Sequence, residues 1–400
     1  MSYRVKVDLL ADGKAKPVGC RVCADGLVPA ESVYGYSGYV PAGVNFAGYA
    51  QGAGRYFVCD NDAVYVSGNG NSFVKLDDAS GTPFLIEEIK DGAPRAVLIC
   101  GSRAFTHTGT VYSAFGYGAD LKCGVMRRGR LFGSDGSKIL WSGAGGIDDW
   151  KQCMEGGGSL TPDSGQGEVL ELTEYGDKLI AVRKYGLTVL NFYGTPENFS
   201  VDIAGAEADG IYKGTARVAG GKLLFFTSSG LKSYDGTQVT AVKHRFAEDI
   251  SSPVCSAVLA GRYYLGCNSA HLNGGAVLCY DPDAGDSYLI DADARAMCTA
   301  EGCVRVYNAE GAHKIEGGGR FTFESGVTDF GTQGLKTVKR IFVNSDGVDV
   351  VISNGAVSRR FYSASGIIRP NLRGKSFTIK LSGKNAVSAL SAEAEVMDAV

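Results

Sequence analysis

Cys20 and Cys23 form a Cys-x-x-Cys pair, the spacing at which two thiolates can share a zinc ion or exchange a disulfide. A structural zinc site wants four ligands, and the other close cysteine pair, Cys298 and Cys303, lies at the far end of the chain. The bland reading is two strand cysteines, pointing to one side or flanking a bend. The run "DPDAGDSYLIDAD", Asp281 to Asp293, gathers carboxylates as calcium loops do, but lacks glycine at the sixth position and glutamate at the twelfth. It reads as a hairpin turn, with Asp283 placed for a side-chain-capped turn and Gly285 for positive φ. His107, His244, His271 and His313 are isolated, and no His-x-x-x-His, Gly-x-Ser-x-Gly or phosphate loop occurs. The glycine loops Ser67–Ser72 and Gly143–Gly146 precede no helix that could present N–H groups to a phosphate. No catalytic, cofactor-binding or metal-binding residue is therefore assigned.

Two groups remain. "RLFGSDGSKILWSGAGGIDDW", Arg130 to Trp150, holds both tryptophans. It is similar to the Asp-box of sialidase propellers, but Ser134 directly adjoins Asp135, so the Ser-x-Asp-x-Gly order fails. Trp141 and Trp150 are expected to be packing anchors. Near the C-terminus, Arg359, Arg360, Arg369, Arg373 and Lys375 form a candidate protein interface if the fold brings them together. Arg359 and Arg360 are neighbours on a predicted strand, so they point to opposite faces.

The elements that must position these groups are strands. Glycine stands at 57 of 400 residues and proline at only 10, a balance that suits many tight turns between short strands. Net charge is −3, without blocks of like charge, so no phosphate-tracking surface is expected. The charge is uneven: from Gly319 onward 11 Lys/Arg face 7 Asp/Glu, leaving 29 and 36 before it, or +4 after −7. Eleven scattered cysteines fit a reducing compartment during folding. The opening "MSYRVKVDLLADGKAK" has no apolar signal core, and no run reaches the roughly 18 residues of a membrane span.

A pattern recurs: glycine, a basic residue, an apolar run, a turn, and an aromatic strand. Copies start at Gly54, Gly101, Gly129, Gly176, Gly220 and Gly261, with a weaker one at Glu301. Most intervals fall near ~40 residues, the span of a four-stranded propeller blade. The fold expected is all-β: a β-propeller of six or seven blades over residues 51–318, followed by a small β-sandwich over 319–400. "NSDG", Asn344 to Gly347, is expected as a hairpin turn within that sandwich. Residues 1–50 are an arm or the strand that closes the ring.

The order of "RLFGSDGSKILWSGAGGIDDW", "GEVLELTEYGDKLIAVRKYGLTVLNFYG" and "GLKSYDGTQVTAV" resembles the β-propeller tail proteins of tailed bacteriophages, a group that includes packaged-DNA stabilisation proteins. "CRVCADGLVPAESVYGYSG" is similar to their early segment, and "TDFGTQGLKTVKRIFV" with "RGKSFTIKLSG" to their C-terminal module. The resemblance implies a non-enzymatic virion protein of the tail or head-to-tail assembly, made in a bacterial cytoplasm. It implies docking to other tail or connector proteins, in several copies, without membrane or direct nucleic-acid binding. A carbohydrate-binding propeller is the alternative, and an enzyme or a bacterial interaction propeller are further rivals on the same fold.

Overall fold

Runs such as Lys222–Thr227 (KLLFFT) and Lys178–Arg183 (KLIAVR) do not alternate apolar with polar, so both faces of their sheets must be covered. The computed structural model describes residues 2–11, 14–23, 26–144, 147, 156–192, 199–206 and 209–397, and shows how this is done. Seven antiparallel sheets stand as blades around one axis among the described residues. Their innermost strands begin at Phe46, Pro83, Cys123, Val169, Arg217, Ile250 and Ala296. Each touches the next, and the seventh touches the first. The protein is a seven-bladed β-propeller.

Seven apolar clusters fill the seams between neighbouring blades. In blade 6, Tyr263 enters the seam with blade 5, and Tyr264 enters the seam with blade 7. Successive residues thus serve opposite cores, which is why the strands read as unbroken apolar runs.

The recurring glycine closes the hairpin between the first and second strands of a blade. At Arg128–Gly129 both φ angles are positive, 49° and 72°, and at Glu301–Gly302 they are 51° and 74°. That is the two-residue turn whose twist matches the flanking strands, and it demands a residue that tolerates the left-handed region. The copy at Gly101 departs from the rule. Residues 93–107 pair first with Pro83–Lys90 and then, from Gly101, with Tyr112–Leu121. Pro94 and Gly109 both approach the Gly52–Ala53 turn, so the run folds back at Gly101, where φ is 58°. Gly101 therefore opens the third strand of blade 2, whereas Asp91–Gly92 makes the usual first turn. This accounts for the short interval between Gly101 and Gly129.

Glu31–Tyr36 is the outermost strand of blade 7, paired antiparallel with Gly311–Gly317, so the N-terminal region closes the ring. The strands before it go elsewhere. Ser2–Asp8 pairs with Val387–Met397, Lys16–Val18 with Phe321–Glu324, and Cys20–Cys23 with Gly26–Pro29. The sandwich is thus built from both chain ends around a single core. Val18 also pairs parallel with Leu289, so its sheet continues blade 6.

The strand Lys336–Ser353 is the module's spine. Its first half pairs with Val387–Met397 and its second with Thr378–Gly383, while Ser358–Ile368 follows both halves. "NSDG" does not make a hairpin. It is a bulge between Val343 and Val348, at which the strand changes sheets. Cys20 and Cys23 sit three apart on an extended strand, so they point to opposite faces and share no ligand.

Candidate functional site

The five predicted basic residues lie on the outer rim of the module. Among the described residues Ser358–Ile368 pairs on one side only, which leaves a free edge eleven residues long. Arg359 stands opposite Ile352 and Arg360 opposite Val351, so the pair does face opposite ways. Asn354, just past the spine, donates to the carbonyl of Arg373 at 2.8 Å. Lys336, fully buried, donates to the carbonyls of Thr332 at 2.8 Å and of Lys375. These bonds fix Arg373 and Lys375 beside the hairpin end that carries Arg359. Arg369 lies farther along, between Ile368, opposite Ile341, and Leu372, opposite Val338. The structure therefore gathers three of the five closely, sets Arg360 on the outer face, and places Arg369 at the start of the link.

Arg360 lies in a cross-strand row with Val351, Lys380, Glu324 and Lys16. Lys380 pairs with Glu324 at 2.7 Å, and Lys16 with Asp249 of the propeller at 2.8 Å. Charge is balanced next to the propeller and unbalanced at the edge. Among the described residues, none of the five has a carboxylate within ion-pair distance. The guanidinium of Arg360 lies 5.8 Å from the centre of the Tyr362 ring. Tyr362 is 72% exposed, and Val357, Ile367 and its cross-strand partner Phe342 are exposed too. Arginines beside exposed aromatic and aliphatic groups are the composition of a docking surface.

The chemistry weighed from sequence resolves into framework. Asp281, rather than Asp283, caps its turn, accepting from the N–H groups of Asp283 and Ala284 at 3.1 Å. Ser134 and Asp135 cap a turn in the same way: the Asp135 carboxylate accepts from Ser137 and Lys138 at 2.7 Å. Trp141 fills the seam between blades 3 and 4 with Phe192 and Phe199, and a Cβ at Gly158 would overlap its ring. Trp150 lies outside the described residues. His107 accepts a turn N–H from Gly109 at 2.9 Å, and His313 bonds Asn308 at 3.1 Å. Burial raises the thiols of Cys123, Cys255, Cys267 and Cys298 to about 12, which keeps them protonated and unreactive.

One site was not legible in the sequence. The innermost strands of all seven blades wall a central cavity of about 860 Å³. Its charged groups include Glu171 from blade 4, and Lys213 and Arg217 from blade 5 and the connector before it. Arg217 pairs with Glu171 at 2.9 Å, and the other Glu171 oxygen accepts from the N–H groups of Gly214 and of Ala216, the latter at 3.5 Å. The Lys213 amine meets the Lys122 carbonyl at 3.4 Å. Loss of bulk hydration between the blade walls lowers its pKa, a shift that Cys123 and Glu171 oppose. No local motif marks these residues, because they come from different blades and meet only when those blades pack.

No protein-family model matches the chain, and no curated protein matches it in sequence. Solved structures do match in shape. PorZ, an essential bacterial surface component of the type-IX secretion system of Porphyromonas gingivalis, aligns at TM-score 0.50 and 10% identity, covering 92% of this chain and 62% of its own. The extracellular domain of a putative hybrid two component system, BT4673 from B. thetaiotaomicron, aligns at 0.51 and 10%, covering 85% and 47%. The chain thus spans about half to three fifths of the length of these structures. At that identity the likeness establishes the all-β propeller fold.

Proposed function

We propose that this protein is a non-enzymatic assembly component. Its propeller is a rigid platform, and its C-terminal module docks a partner along the Ser358–Ile368 edge. The observation that carries this reading is an edge unpaired among the described residues that bears Arg359, Arg360, Tyr362 and Ile367, with Arg369, Arg373, Lys375, Val357 and Phe342 on the adjoining segments. An extended segment with acidic side chains has the complementary chemistry: its backbone continues the sheet, and its carboxylates meet the arginines. The sequence resemblance to phage propeller proteins supports a tail or head-to-tail assembly as the setting. Several copies around a symmetric tail would convert modest individual contacts into stable attachment. Imaging of tail particles with and without the chain tests this. The chain at defined symmetric positions, lost on Arg359→Glu/Arg360→Glu, supports the reading; particles complete without the chain overturn it.

Carbohydrate binding is the second reading, and the polar central cavity is what favours it. A glycan array separates the two. Specific retention by the propeller favours glycan recognition, whereas silence leaves the docking edge as the better account.

A further inference from the structure

We infer that the mouth of the central channel is a binding site for a small organic anion, whose carboxylate or phosphate group is received by Lys213. This inference is independent of the docking reading, because the channel and the Ser358–Ile368 edge share no residue.

The argument starts from the ionic balance of the channel. Glu171 is fully engaged: one oxygen holds Arg217 at 2.9 Å, and the other takes the N–H groups of Gly214 and Ala216. Arg217 uses both hydrogens of Nη1, donating to Glu171 and, at 2.6 Å, to the carbonyl of Ala216. Lys213 is different. Among the described residues no carboxylate lies within ion-pair distance of its amine, which carries three donors and meets one carbonyl at 3.4 Å. Lys213 is exposed to solvent, so an anion can reach it, and a charge at the mouth of a cleft attracts an anion more strongly than the same charge on an open surface.

The segment that presents Lys213 is held in place before any ligand arrives. The Ser256 hydroxyl donates to the Gly214 carbonyl at 2.7 Å, and the Tyr263 hydroxyl donates to the Thr215 carbonyl at 2.7 Å. The Thr215 hydroxyl donates to the Tyr212 carbonyl at 2.6 Å. Gly214 has φ of 81°, and a Cβ there would meet the Val254 carbonyl at 3.1 Å. The backbone around the lysine thus has little freedom to lose on binding, which favours affinity. The rest of the cavity suits a neutral body. Its volume falls within the range of small-molecule sites. Val254, an apolar side chain 52% exposed, lines the wall, as do Thr82 and Asn45. Lys213, with Lys122 as a second lysine in the same lining, and a mixed wall point to an anionic group on a partly polar organic body, such as a sugar acid or sugar phosphate.

The test uses the full chain with gluconate, glucose 6-phosphate and glucose as probes, followed by calorimetric titration and thermal melting at neutral pH. Saturable binding of at least one of the two anions, with a raised Tm and no response to glucose, is expected. Lys213→Met should weaken that binding about tenfold or more, the loss of one well-placed charge interaction. Lys213→Arg should retain part of it, and Arg359→Glu/Arg360→Glu should leave it unchanged. The inference is overturned if neither anion binds, if glucose binds equally well, or if Lys213→Met binds like the unaltered chain. A lower Tm in ligand-free Lys213→Met does not confuse the result, because affinity is read from the titration.

Discussion

Asp135 and Asp235 stand in different blades and make the same turn. Each carboxylate accepts from the N–H groups two and three residues on, and from the hydroxyl of Ser137 or Thr237. The Thr237 hydroxyl, with the Gln238 and Thr237 amides, pulls the Asp235 pKa down to about 2. A carboxyl whose pKa is lower in the folded chain stabilises the fold above its unfolded value near 4. That stabilisation disappears as pH falls from about 4 toward 2, and Asp235→Asn should flatten the acid limb of a melting curve over that window. Asp135→Ala should cost roughly 1 kcal/mol, read from the urea midpoint. His244 gives a second window. Burial pushes its pKa down to about 4 against the pull of Asp249, and neither ring nitrogen has a hydrogen-bond partner among the described residues. Its neutral form is the folded form, so acidification from about 6.5 to 4 destabilises the chain. In His244→Gln, Tm should vary less across that interval. Trp141→Ala should cost roughly 3–5 kcal/mol, because its neighbours Phe192 and Phe199 come from the facing blade and its loop and cannot fill the gap.

At the scale of elements, what could be read from sequence was the piece whose chemistry is local. The first hairpin of each blade turns on a glycine with positive φ, so the glycine repeat announced the blades. Blade 2 misled because its second hairpin turns on only Gly101 and Ser102 and lacks the Asp/Asn signature. "NSDG" misled for the opposite reason: turn residues also suit a bulge, and the long partner strand decided between the two. The ring-closing strand is held by Glu31, which accepts from Arg262 at 2.8 Å and from the hydroxyls of Tyr264 and Tyr288. Glu31→Ala leaves the half-buried Arg262 guanidinium only Asp281, at 3.5 Å, and removes the acceptor of two tyrosine hydroxyls. Hydrogen exchange should then speed up in residues 31–36 and 311–317 ahead of the other blades.

At the scale of the molecule, the all-β propeller followed from composition and period. The number of blades and the channel depended on how the ends meet. The basic rim was partly legible: its residues were visible as types, but their grouping depended on the bonds of Asn354 and Lys336. Charge divides the same way, with the propeller acidic and the final 82 residues basic. Attachment through the rim should therefore weaken steeply with salt. Arg359→Glu/Arg360→Glu should abolish attachment while changing folding stability by no more than about 0.5 kcal/mol, since both side chains are exposed and make no ion pair among the described residues.

Glu31–Tyr36 finds its partner strand about 280 residues later, and Ser2–Asp8 waits for the last strand of all. While the ribosome is still translating, the nascent protein is an open arc with a bare blade edge at each end and its first strands unpaired. The ring cannot close until residues 311–317 have been made, so the unsealed intermediate is the species most exposed to proteases, chaperones and premature pairing with a neighbouring chain.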